Sequence, residues 1–175
     1  YLSTRKAKLS DTLIYDNYHA IQQALISYVH RKFIEPLPAD KKKQASEITY
    51  MVKVNKRPNL EYYKNNCVGF FIPAAFTALA ILETDTFRFS STDLHDRYTF
   101  FQDFFKYEFS YDADQSVEDY VKQSLSSLMD EGILTSPHTP EDTYYLTPSG
   151  LRKLRLFSVF LKSYFESYWI VLNFF

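Results

Sequence analysis

The longest apolar stretch of this chain follows directly on a polar, aromatic one. Residues 59–82 read NLEYYKNNCVGFFIPAAFTALAIL. Leu60, Tyr63, Cys67, Phe70, Ala74, Ala78 and Ile81 recur there at steps of three or four, the spacing of one helix face. Asn59, after Pro58, is placed to cap such a helix. Pro73 removes a backbone donor and crowds the preceding turn, so the helix is expected to kink near residues 66–72 or to split in two. The apolar run from Cys67 to Leu82 is sixteen residues long, short of the roughly 20 that cross a bilayer. Two readings follow. Residues 59–82 form the central buried helix of a helical domain, or a polar mouth (Tyr62, Tyr63, Asn65, Asn66) faces a site while the apolar body leans on lipid or another domain.

The same periodicity predicts four more helices. Residues 11–34 carry a stripe of Ile14, Tyr18, Ile21, Leu25, Tyr28 and Lys32/Phe33, stopped by Glu35-Pro36-Leu37-Pro38. Residues 93–109 repeat Leu94, Tyr98, Phe101, Phe105 and Phe109, capped by Ser91 or Thr92. Residues 116–131 bury Val117, Val121, Leu125, Leu128 and Met129. Ser116 and Asp119 form a capping-box pattern, and Gly132 serves as left-handed terminator. Thr147-Pro148 opens a last helix, residues 149–173, with Leu151, Leu154, Phe157/Ser158, Leu161, Phe165, Tyr168/Trp169 and Leu172 on its apolar side. Residues 39–57 read as a short helix from Lys41-Lys42-Lys43 followed by an extended segment rich in β-branched residues, 48–54. Ile133-Leu134-Thr135 and Thr143-Tyr144-Tyr145-Leu146 read as a two-stranded hairpin around a loop with two prolines. The fold class is mainly α, a multi-helix domain with a small winged-helix-like unit. It divides into a helical region, residues 1–110, and the winged-helix-like unit with its long aromatic helix, residues 111–175.

Composition narrows this picture. The chain has 175 residues, 46% hydrophobic, with 16 Phe, 15 Tyr and only three glycines. Neither a GxGxxG nor a GxxxxGK phosphate loop can be written with so few. One cysteine, Cys67, excludes an internal disulfide and a CxxC zinc site. No secretory signal pattern is visible. Net charge is −1 but uneven. Residues 31–64 hold nine Lys/Arg against four Asp/Glu, and residues 83–119 hold three against ten. Opposite potentials on two faces are expected.

Catalytic patterns are absent. His19, His30, His95 and His138 show no HExxH spacing, and no GxSxG elbow occurs. In a winged helix the helix before the wing enters the major groove. Here it carries Glu118, Asp119, Asp130 and Glu131 against Lys122. An acidic reading helix repels phosphate, so nucleic acid is not an expected partner.

Four features in one order resemble a known family. They are the segment EYYKNNCVGFFIPAAFTALAIL, a helix with Arg and Asp near its start (91–109), an acidic helix closing as LMDEGIL (128–134), and a long aromatic helix ending SYFESYWIVL (163–172). Together they are similar to the region downstream of the catalytic domain in membrane-bound, bacterial-type glycerol-3-phosphate O-acyltransferases. In that family the resemblance implies a His-x-x-x-x-Asp motif, whose His acts as general base on the acceptor hydroxyl. Five positions after each His here stand Ala24, Glu35, Phe100 and Thr143, and none is Asp. The expectation is a non-catalytic fragment of a longer enzyme of phospholipid synthesis, inactive alone and without a cofactor or metal.

The resemblance implies that the fragment braces the acyltransferase domain of the same chain and lies peripherally on the cytoplasmic face of the membrane. Tyr62, Tyr63, Lys64, Asn65 and Asn66 are the candidates for proximity to substrate, with Lys64 suited to a phosphate. Phe70, Phe71, Phe165, Trp169, Arg152, Lys153 and Arg155 are the candidates for membrane or interdomain contact. The other reading is a winged-helix-type interaction or regulatory module.

Overall fold

A computed structural model describes residues 9–37, 48–137 and 142–174. The expected helix start at Lys41-Lys42-Lys43 and His138 lie outside them. The described chain is mainly helical, with seven helices and two small antiparallel sheets. It separates into one compact unit, Lys6–Cys67, and a second whose described residues fall in Val68–Phe175. The division falls within residues 59–82, between Cys67 and Val68.

In the first unit the expected helix over residues 11–34 is two helices and a strand. Helix α1 (Asp11–Tyr15) stops at Asp16, whose carboxylate accepts from the His19 amide at 3.0 Å and caps α2 (Asn17–His30). Lys32, with φ of +59°, then closes α2. The Lys32 amide donates to Val29 O and the Phe33 amide to Tyr28 O, both at 2.9 Å. This left-handed closure frees Ile34–Pro36 to form β1, antiparallel to β2 (Tyr50–Val52). The extended segment expected there is present as β2. Lys53 bridges to Glu35 across the ladder at 2.9 Å. A 3-10 turn at Val54–Lys56 leads into α3 (Arg57–Val68), so Asn59 lies inside the helix and is not its cap. Of the hydrophobic side chains described in this unit, Ile34 alone is buried.

The second unit holds the core. Gly69, Phe70 and Phe71 separate α3 from α4 (Ile72–Glu83), and Pro73 sits in the first turn of α4. The split therefore comes where proline disfavours helix on its N-terminal side while starting a new one without penalty. Nine of the twelve α4 residues are buried. A helix apolar all round is stable only when enclosed, and α5 (Thr92–Phe104), α6 (Val117–Asp130) and α7 (Gly150–Phe174) pack against it. The Phe76 ring meets Tyr98, Phe101 and Phe105 at centroid distances of 5.5–5.9 Å. The buried Thr77 hydroxyl is satisfied within the helix, donating to Pro73 O at 2.9 Å.

Helix α5 ends at Phe104, five residues before its expected end, yet Phe105 and Phe109 stay buried. Its first turn is closed by Ser90 and Asp93, each accepting from the other's amide, and not by Ser91 or Thr92. Helix α6 has the full capping box of Ser116 and Asp119, and Gly132 ends it with φ of +65°. The expected hairpin is β4 (Leu134–Thr135) with β5 (Tyr144–Leu146). A third strand, β3 (Arg88–Phe89), joins it in the order β3-β5-β4. Sequence periodicity treats residues 83–90 as a bare connection, because a two-residue strand leaves no alternation to detect.

Candidate functional site

Helix α3 sorts the Tyr62–Asn66 segment by face. At roughly 100° per residue, Asn65, Tyr62, Asn66 and Tyr63 fall within one arc of about 160°. All four are exposed, and the two tyrosine rings meet edge to face at 5.8 Å. Leu60, Glu61 and Lys64 lie on the other, half-buried side. Lys64 forms an ion pair with Glu61, which also stands 4.0 Å from Arg57. The five residues grouped in the sequence are thus four on one face and one on the other, with the cation already neutralised. Cys67 is exposed, and its thiol donates to Lys64 O at 3.2 Å. The exposed face is a row of hydrogen-bonding amides and phenols without a net charge.

Helix α7 separates the contact candidates. Leu154 and Leu161 are buried, and Phe165 is half-buried against Phe105 at 5.0 Å and Phe104 at 5.9 Å. Phe71 is half-buried and stacked on Phe160 at 4.9 Å. Phe70 is exposed. Arg152, Lys153 and Arg155 are exposed at the start of α7, where Lys153 donates to the Glu131 carbonyl at 3.0 Å. Trp169 lies about 25 Å further along the axis, from 17 residues at 1.5 Å rise. The basic group and the tryptophan therefore occupy opposite ends of the helix. Between them Tyr168 donates to Glu108 at 2.8 Å, and that hydrogen bond raises the phenol's pKa.

A polar cleft of about 500 Å³ is invisible to sequence reasoning, because it assembles three distant segments. Ser91, just before α5, with Thr92 and His95 of α5, faces Glu118 and Lys122 from α6, Asp142 just before β5, and Tyr144 of β5. Ser91 donates to Asp142 through its amide at 2.9 Å and its hydroxyl at 2.5 Å. Burial, with the nearby Asp142 charge, pushes the Tyr144 phenol up. His95 Nε2 is shielded and has no hydrogen-bond partner among the described residues. Among the described residues no three His, Cys, Asp or Glu side chains are grouped as metal ligands.

The fold and these surfaces define a mainly helical region organised around one enclosed helix. The family model described as the glycerol-3-phosphate acyltransferase C-terminal region matches residues 1–175, and the chain belongs to that family. No curated protein and no solved structure matches it.

Proposed function

We propose that this chain is the non-catalytic C-terminal region of a glycerol-3-phosphate 1-O-acyltransferase-like enzyme of phospholipid synthesis, bracing the acyltransferase domain and the membrane-facing surface on the cytoplasmic side. One observation carries the bracing role. Much of the stripe on α1 and α2 is uncovered: Ile14, Tyr18 and Ile21 are each more than half exposed, Leu25 and Tyr28 are half-buried, and no residue of either helix is buried. Tyr18 and Ile21, three residues apart on α2, and Ile14 on α1 before the Asp16 break are exposed apolar side chains of the kind that another body covers. The expected body is the acyltransferase domain of the same chain, with the exposed α3 face directed at its site. The test replaces Ile14, Tyr18 and Ile21 together by Ser in the parent enzyme. Loss of acyl transfer to glycerol 3-phosphate, with the melting of the 175-residue chain unchanged, is the expected result. Full activity in the triple variant rejects the bracing role.

A second reading, a winged-helix-type interaction or regulatory module, is supported by the strand order β3-β5-β4, with α4 before β3 and α5 and α6 between β3 and β4. The exposed Glu118, Asp119, Asp130 and Glu131 on and after α6 oppose a nucleic-acid role. Salt-sensitive binding to duplex DNA by the 175-residue chain is the result that favours this reading.

A further inference from the structure

The cleft between α5, α6 and β5 holds two opposite charges that do not meet. Glu118 and Lys122 stand one turn apart on α6, and both line it. A glutamate four residues before a lysine is the favoured order for an ion pair, with Cβ atoms about 5–6 Å apart. Among the described residues neither side chain forms one. Lys122 also lies near Asp119, but that carboxylate is engaged by the Ser116 hydroxyl and amide in the cap of α6. The other walls are fixed by bonds of their own. The Asp142 carboxylate accepts from the Ser91 amide and hydroxyl and from the Tyr144 phenol, which ties β5 to the approach of α5. The Thr92 hydroxyl bonds to Ser90 Oγ at 2.8 Å, and the Ser90 amide donates to Asp93. The amides leading into α5 are thus taken by Asp93 and Asp142, and an incoming anion has Lys122 as its charged partner.

We infer that this cleft binds a small zwitterion of the phosphoethanolamine type, with its phosphate on Lys122 and its ammonium on Glu118. The two-carbon link of such a group matches the one-turn separation of the two side chains. A ligand with both charges satisfies both residues at once. A simple anion is opposed by Glu118, and a simple cation by Lys122, so each half alone is disfavoured. A primary ammonium fits better than a quaternary one. The Glu118 carboxylate accepts hydrogen bonds, whereas a quaternary ammonium takes an aromatic cage, and Tyr144 supplies only one ring. At about 500 Å³ the cleft has the size of a small-molecule site. The Asp142 bonds and the Ser90–Asp93 closure hold its walls before any ligand arrives, as such sites require. His95 shapes the wall, and its shielded Nε2 takes no part in binding. The inference goes beyond the bracing role and does not depend on it.

The test titrates the 175-residue chain calorimetrically with phosphoethanolamine, ethyl phosphate and ethanolamine. Phosphoethanolamine is expected to bind about tenfold or more tighter than ethyl phosphate, which lacks the ammonium, and than ethanolamine, which lacks the phosphate. Glu118→Gln is expected to erase the preference over ethyl phosphate, and Lys122→Gln the preference over ethanolamine. Both residues are exposed, so melting temperatures equal to the parent chain's are expected and separate lost binding from lost fold. Phosphatidylcholine vesicles with and without phosphatidylethanolamine distinguish the two sources of the group. Co-flotation that needs phosphatidylethanolamine and is competed by phosphoethanolamine assigns a lipid head group. Binding of the soluble compound without such flotation assigns a soluble ligand. Either result upholds the site. Ethyl phosphate bound as tightly as phosphoethanolamine, binding unchanged in both variants, or no binding of the group in either form overturns it.

Discussion

The Phe33 amide donates to the Tyr28 carbonyl at 2.9 Å, and the two rings meet edge to face at 5.8 Å. The residue between the turn and the strand, Lys32, is left-handed, the conformation that Gly132 holds at the end of α6. A side chain in that region costs roughly 1–2 kcal/mol, which glycine avoids. Lys32→Gly is therefore expected to stabilise the chain by about 1 kcal/mol, and Gly132→Ala to destabilise it by a similar amount. Urea unfolding of both variants checks this, and a Lys32→Gly variant less stable than the parent chain contradicts it.

Gly150 is required for a different reason. A Cβ there would press on the Ile133 carbonyl oxygen and crowd the Thr147 hydroxyl. The contact belongs to the network in which Thr147 donates toward Ile133 O at 3.1 Å and accepts from the Gly150 amide at 2.9 Å. Gly150→Ala is expected to cost about 1–3 kcal/mol by overpacking, despite alanine's better helix propensity. A thermal melt that rises in the variant contradicts the crowding.

Phe76 and Phe70 lie six residues apart in one apolar run and differ in burial. Phe76→Ala removes a fully buried ring surrounded by other rings and is expected to cost about 3–5 kcal/mol. Phe70→Ala, at an exposed site, is expected to stay within about 0.5 kcal/mol. Equal losses in denaturant titrations would mean that α4 is not the centre of the core.

The Asp119 carboxyl is held below its ordinary pKa by hydrogen bonds from the Ser116 hydroxyl and then the Ser116 amide. A depressed carboxyl contributes stability above its unfolded pKa, near 4, and that contribution is lost as pH falls through the lower folded value. Ser116→Ala is expected to lower the melting temperature at pH 7. The gap to the parent chain should narrow below about pH 4. A gap constant from pH 7 to pH 2 contradicts the assignment.

Lys64→Ala breaks only the pair with Glu61 and is expected to change stability by about 0.2–0.5 kcal/mol. On the opposite face, Asn66→Ala in the parent enzyme is expected to lower acyl transfer to glycerol 3-phosphate with the melting temperature unchanged. Undiminished transfer removes the exposed α3 face from the site.

Local rules carried much of this fold. The Ser116–Asp119 cap, the Gly132 stop, the break before Pro73 and the hairpin of β4 and β5 each depend on a few neighbouring residues, so each was legible. The aromatic–amide cluster of Tyr62, Tyr63, Asn65 and Asn66 was legible as a candidate face for the same reason. Tertiary structure decided what periodicity leaves open. A helical stripe reports amphipathicity and not what covers it. The core stripe of α6 and the exposed stripe of Ile14, Tyr18 and Ile21 therefore look alike in sequence. The left-handed Lys32 was hidden because lysine carries no preference for that conformation, and the α2 closure decided it. The pairing of β3 and the Ser91–Asp142 contact depend on residues far apart in the chain.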